Sequence, residues 1–320
     1  MMPADIPIPA REVSEPDLVE LLYGMYRALR ERGESPSGDW IEEVAGELHR
    51  GERLGWVVGE ASSLALGFCS ITDVGAFGHI HAGPGASDPA LGARLLERLL
   101  DAIASKASTF VTGFSGYTID EENELIRRVD RPGGRRIERW GLLRPIGETD
   151  AKNVVPPGTT LRRLPVREVP ITALAQLDQR AYQGTVDALL TGPELRHHQR
   201  ILEELLDHRL GRFLDEASMA LVESATGALV GLVATAELSS RTAVILDVAV
   251  DPTVRRNGYG RFLLEWTLRA LRALGYEEVR LWVTAENIPA RRLYEALGFQ
   301  HQHHATLYRW ERPSVQPQPG

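Results

Sequence analysis

The 320-residue chain has one cysteine, Cys69, so no intrachain disulfide can form and a disulfide-stapled core is excluded. No apolar run approaches the roughly 20 residues that cross a bilayer. Met1-Met2-Pro3-Ala4-Asp5 lacks the basic start and apolar core of a secretory signal. These absences lead to the expectation of a cytoplasmic protein with no membrane partner. Basic excess is missing too: 36 Lys and Arg against 44 Asp and Glu give a net charge of -8, which argues against a nucleic-acid partner. What is present, 43% apolar and 25% charged residues, describes a globular chain, long enough to bury two cores.

One stretch carries chemistry. The apolar strand Val248-Ala249-Val250-Asp251-Pro252 leads into Arg255-x-x-Gly258-x-Gly260, followed by an amphipathic run from Arg261. A strand, a loop with Arg255, Arg256, Asn257, Gly258, Tyr259, Gly260 and Arg261, and then a helix make a cradle for an anion. Glycines let the backbone approach, amides of the first turn point at phosphate oxygens, and the helix dipole favours negative charge. Leu264, Leu268 and Leu271 mark the helix, and Gly275 stands where a left-handed C-cap belongs. A strand over residues 278–284 and a short helix from Pro289 follow. No Lys-Ser or Lys-Thr pair follows the loop and no third glycine stands at the dinucleotide spacing, which sets aside nucleotide hydrolases and dinucleotide-binding domains.

A second phrase, Asn287-x-x-Ala290-x-x-Leu293-Tyr294-x-x-x-Gly298-Phe299, stands downstream. In this order the two phrases resemble the GNAT superfamily of acetyl-CoA-dependent N-acetyltransferases. The resemblance implies an α/β fold of the α+β kind, with a mixed central sheet flanked by helices. It implies acetyl-CoA as cosubstrate, no metal, and direct transfer in a ternary complex to a primary amine, on a small molecule or a protein N-terminus. Residues 255–261, Asn287 and Tyr294 would hold the cofactor. A backbone amide near Val248, Ala249 or Val250, where the family's sheet splays, would hold the carbonyl oxygen. Tyr294 would protonate the departing thiolate. Several members, mycothiol synthases among them, carry a glutamate eight positions before the proline of the Val-Asp-Pro turn; that position here is Val244. Asp247 interrupts the same apolar strand and is read either as the catalytic base or as a structural hydrogen-bond acceptor. Glu237, at the end of the preceding strand, is a base working through water or a solvated charge. The alternative function is an acetyl-CoA-binding sensor or partner subunit without turnover. Either a monomer or a homodimer is expected.

The chain also reads as a degenerate repeat. Strands near 64–71 and 78–82, a helix over 91–103 and a strand over 139–145 parallel the second half, a tandem arrangement similar to that of the mycothiol synthases. The expected division is a degenerate GNAT-like domain over 1–145, a linker over 146–158, an active GNAT domain over 159–312 and a disordered tail over 313–320. With Gly92 set against Gly260, Ser87 and Ala90 replace Arg255 and Gly258; with Asn123 set against Asn287, Asp130 replaces Tyr294. The first copy is therefore not expected to bind acetyl-CoA. His301 and His303 share a strand face about 7 Å apart and read as a polar cleft wall or a domain contact. His197 and His198 read as surface residues of a charged helix, Cys69 as a small buried side chain, and the six tryptophans as core.

Overall fold

The computed structural model describes residues 6–31, 40–60, 63–72, 75–129, 134–147, 160–208 and 210–311. The expected linker beyond Gly147, the tail over 313–320 and Asp130 lie outside the described residues. In chain order the elements are β1 (Ile8–Pro9), α1 (Glu15–Glu31), α2 (Trp40–Arg50), β2 (Leu54–Glu60), β3 (Ser63–Ile71), β4 (Ala76–Ala82), α3 (Pro89–Ile103), β5 (Thr109–Ser115), α4 (Ile119–Arg128) and β6 (Arg135–Pro145). Then come β7 (Leu161–Leu164), α5 (Ile171–Tyr182), α6 (Ala188–Thr191), α7 (Leu195–Leu206), β8 (Arg212–Phe213), β9 (Met219–Glu223), β10 (Leu229–Ser239), β11 (Thr242–Val250), α8 (Tyr259–Ala273), β12 (Glu278–Thr284), α9 (Ile288–Ala296) and β13 (Gln300–Glu311). Among the described residues no helix is long and apolar enough to cross a membrane.

Two units emerge from the contacts: residues 1–137 with 305–320, and residues 138–304. In the first unit the strands run β1-β2-β3-β4-β5-β13 and in the second β7-β9-β10-β11-β12-β6, with β8 on β10. Each sheet is antiparallel except for one parallel pair, β4 with β5 and β11 with β12. The class is α/β with a mixed sheet flanked by helices. Residues 138–145, in the first sequence segment, count with the second unit, and residues 305–311, in the second segment, count with the first.

Burial explains the element choices. The unbroken apolar run of β3 is covered on both faces: Leu66 and Phe68 join the core under α1 and α2, while Ala65 and Cys69 join the core under α3. α8 buries Phe262, Leu263, Leu264, Leu268 and Leu271 along one stripe. It ends in a Schellman motif, with Gly275 at φ 87°, its amide on Arg272 O at 3.0 Å and that of Tyr276 on Leu271 O at 3.1 Å. Cys69 is buried, and burial pushes its thiol up to about 12. The tryptophans depart from the expected pattern: Trp310 is buried, whereas Trp40, Trp56, Trp140, Trp266 and Trp282 are only partly covered. The indole is large, and part of it stays uncovered even where the rest packs on a core.

Candidate functional site

β11 and β12 run parallel and paired from Thr242 with Glu278 to Ile245 with Leu281, and there the ladder stops. β11 continues to Val250 and β12 to Thr284, so the two strands diverge over their last residues. On its other side β11 carries a bulge: Thr235 pairs with Ile245 and Ala234 with Asp247, leaving Leu246 without a partner on β10. One extra residue exchanges the faces of everything after it. Before the bulge Ala243 and Ile245 face α8; after it Val248 and Val250 do. Asp247 and Ala249 thus turn to the α5 side, the face that Val244 occupies before the bulge.

Beyond the diverging strands lies the cradle. Asp251 accepts from Thr253 N at 3.0 Å and from Arg180 Nε at 2.9 Å, fixing the turn that leaves β11. Arg255 reaches back to the carbonyls of Val250 and Ala181. Arg256, at φ 66°, and Gly258, at φ 83°, are left-handed, and Gly258 caps α8. The first helical hydrogen bond runs from Phe262 N to Gly258 O, so α8 offers no carbonyl to the amides of residues 258–261. A Cβ at Gly260 would lie 3.2 Å from Leu293 Cδ2 and 3.7 Å from Val250 Cγ2; this position has no room for more than a methyl group. Amides that the helix leaves without a carbonyl, Arg256 and Arg261, and a close backbone fit a pyrophosphate.

α9 brings up the second motif. Asn287 caps the helix, its Oδ1 accepting from Ala290 N at 3.2 Å, and its Nδ2 donates to Asp187 Oδ2 at 2.6 Å. Both ends of this amide are therefore in use, one on the helix and one on a carboxylate. Asp187 is buried and also receives Arg139 at 3.3 Å and the Thr284 hydroxyl. Tyr294, two turns along α9, is buried edge-on to Phe299 at 5.8 Å. Burial first, then the Asp187 and Asp247 carboxylates, hold its phenol well above the ordinary tyrosine range.

Asp247 sits in a cluster that its sequence neighbours do not announce. Tyr182 donates to Asp247 Oδ1 at 2.7 Å, and Asp178 Oδ2 lies 2.7 Å from His198 Nδ1. Burial and the neighbouring Asp178 push Asp247 well above the carboxylate range. Burial raises Asp178 to about 7 and lowers His198. The expectation of surface residues is corrected here: His197 and His198 are 7% and 1% exposed, because α7 lays this side against α5. A signal was available. His198, Leu202 and Leu205 stand at i, i+4 and i+7 and are all buried, as are Leu174, Asp178 and Ala181 on α5. Asp187 had no such signal, since it precedes a helix of four residues.

The structure brings Tyr294, Asp247 and Asn287 toward the diverging strands but not Glu237. That residue pairs with Ala243 at the opposite end of β11. It is held by Arg212 and, at 2.5 Å, by Tyr276 Oη, and these bonds lower its pKa; distance and ion pairing separate it from the group. His301 is exposed and lies tilted against Trp140, with centroids 4.4 Å apart.

The matching place in the first unit is built differently. The β4–β5 ladder runs on from Ala76 with Phe110 to His81 with Ser115, with no divergence. α3 has 15 residues, as α8 does, and its cap is Asp88, whose carboxylate accepts from Ala90 N at 2.9 Å. A negative charge thus occupies the spot where an anion would bind. Helix starts set Gly258 against Asp88, two residues from the pairing suggested by Gly92. Gly92 serves packing instead, since a Cβ there would meet Leu125 and, at 2.7 Å, Tyr117 Oη. Likewise the α4 cap is Thr118, not Asn123, and the residue at the place of Tyr294 is Leu125.

Residues 173–299 match the model of the acetyltransferase (GNAT) family. The mycothiol acetyltransferase of Saccharopolyspora erythraea is 31% identical over 217 residues, spanning 65% of this chain and 67% of that protein. That of Thermobispora bispora is 30% identical over 237 residues, 71% of this chain and 73% of its own. Among solved structures, a tandem GNAT protein from the clavulanic acid biosynthesis pathway shares the fold at a TM-score of 0.63 and 15% identity, over 97% of this chain and 99% of that one.

Proposed function

This chain belongs to the GNAT family of acetyltransferases, and from that premise we propose that it transfers acetyl from acetyl-CoA to the primary amine of a small molecule. It is an acyltransferase, and acetyl-CoA is the family's cosubstrate. The observation that carries the reading is the end of the β11–β12 ladder at Ile245 and Leu281, directly before the glycine-capped start of α8. Strands that part there leave β11 amides free to hold an acyl carbonyl, while the α8 amides take the pyrophosphate.

The steps follow from the groups present. Asp247, kept basic by burial, takes a proton from the incoming ammonium. The neutral nitrogen attacks the thioester carbonyl, and an amide near Val248 holds the oxyanion. As the carbon–sulfur bond breaks, Tyr294 gives its proton to the thiolate, and the second proton shed by the nitrogen as the amide forms restores the phenol; its raised pKa means that it arrives protonated. Asp247 stands in for the glutamate that Val244 does not supply, brought to the same face by the bulge at Leu246. The longer matches, to mycothiol acetyltransferases over two thirds or more of their length, favour a small-molecule acceptor; the protein N-terminus acetylated by the ribosomal protein bS18-alanine N-acetyltransferases rests on a match of 74 residues. The division into a degenerate copy over 1–145 and an acetylating copy over 159–312 is part of the same proposal.

Calorimetric titration with acetyl-CoA tests it, with one site per chain expected. Gly260→Glu places a charged side chain against Leu293 and Val250 and is expected to abolish binding. Tyr294→Phe keeps binding and slows amine-dependent release of coenzyme A by about 10²–10⁴-fold. Two sites per chain would overturn the account of the first copy. Unaltered affinity in Gly260→Glu would overturn the cradle.

A further inference from the structure

Behind Asp247 lies a buried pair that the reaction above does not use. His198 Nε2 faces the carbonyl of Gly192 at 3.1 Å. A carbonyl only accepts, so Nε2 carries a hydrogen. Nδ1 then meets Asp178 Oδ2 at 2.7 Å, and one further proton lies between them, on the carboxyl or on the ring. Both placements leave the pair without net charge.

Asp178 stands one turn before Tyr182 on the α5 face that holds Asp247, and its Oδ1 is fully buried and meets no donor. An acid proton on Asp178 with no other acceptor would turn toward Asp247. Two carboxylates sharing one proton stabilise the ionised member, which would weaken Asp247 as a base. His198 holds that proton on its own side. The remaining groups around Asp247 are Tyr182 from α5, donating to it, and Tyr294 from α9, which senses its charge. Asp187, ahead of α6, is bound by Arg139 from β6, Thr284 from β12 and Asn287 at the start of α9. None of these takes a proton from Asp178.

We propose that Asp178 and His198 are positioning residues that keep a proton away from Asp247 and so preserve it as the base for the amine, an inference that rests on the reading of Asp247 above. The test is a carbon-13 carboxyl titration by NMR of the full chain labelled at aspartate, with the Asp247 signal assigned from Asp247→Asn. Asp178→Asn and His198→Leu are expected to lower the Asp247 midpoint by about 1 pH unit or more, because an amide or a released acid proton then donates to it. His198→Gln offers a donor toward Gly192 and an acceptor toward Asp178, and is expected to restore the midpoint. A pair that only packs would leave the midpoint unchanged in His198→Leu, and that result overturns the proposal. Should His198→Leu fail to fold, His198→Phe, a planar ring with neither donor nor acceptor, takes its place.

Turnover of acetyl-CoA with a panel of primary amines, measured on the same samples, separates the two readings. Full turnover in Asp247→Asn defeats the base while leaving a midpoint shift intact. An unmoved midpoint beside an inactive Asp247→Asn defeats the proton-holding pair alone.

Discussion

Asp178 and His198 hold one proton between them in the native state, and at pH 5 the unfolded chain holds one on the histidine, so the pair itself adds little pH dependence. Asp247, pushed well above the carboxylate range by burial and the neighbouring Asp178, makes stability depend on pH in one direction. The native state binds more protons than the unfolded one above the ordinary carboxylate value, so this contribution is complete below about pH 4 and is lost as pH rises through the raised value of Asp247. Urea unfolding at pH 5 and pH 8 checks the sign: the wild type is expected to be less stable at pH 8, and Asp178→Asn to narrow that gap. A gap equal in both proteins would place the pH dependence elsewhere. Asp178 and His198 were legible in principle, since each stands in register with the leucines of its own helix. Charged neighbours such as Arg196, Arg200 and Glu203 disguised that face of α7 as solvent-exposed.

Asn287 shows how an element boundary and a site share one side chain. At an exposed helix start aspartate caps as well as asparagine, and alanine costs about 1 kcal/mol. Here Nδ2 is spent on the buried Asp187, so Asn287→Asp would set one carboxylate against another. Thermal unfolding at pH 7 is expected to rank Asn287→Asp below Asn287→Ala, the reverse of the ordinary order; the ordinary order would mean that the Asp187 contact contributes nothing. The motif containing Asn287 and the Schellman end of α8 were both visible in the sequence, because glycine, proline and capping residues act locally. The bulge at Leu246 was not. Residues 243–250 are apolar on both faces apart from Asp247, so no alternation exists whose break would reveal an inserted residue.

At the scale of the whole chain, the repeat was legible in the matching helices, whereas the exchange of final strands was not, because each exchanged strand follows its own copy in sequence. Seven residue pairs join β6 to β12, from Pro145 with Glu278 to Arg139 with Thr284. β13 pairs with β5 from Gly113 with Leu307 to Thr109 with Glu311, and it places Tyr308 and Trp310 in the core of the first unit. A fragment of residues 1–145 therefore lacks the strand that covers β5, and a fragment of residues 146–311 lacks the one that covers β12. Each would expose an open sheet edge, a template for aggregation. The first would also lose two buried aromatics, each a loss of about 3–5 kcal/mol when truncated to alanine in a core. Neither fragment is expected to unfold cooperatively when expressed alone, and co-expression is expected to recover a soluble pair that binds acetyl-CoA once. If the second fragment alone unfolds in a single sharp transition and binds acetyl-CoA, the exchanged strands are dispensable and the two copies fold as the sequence divides them.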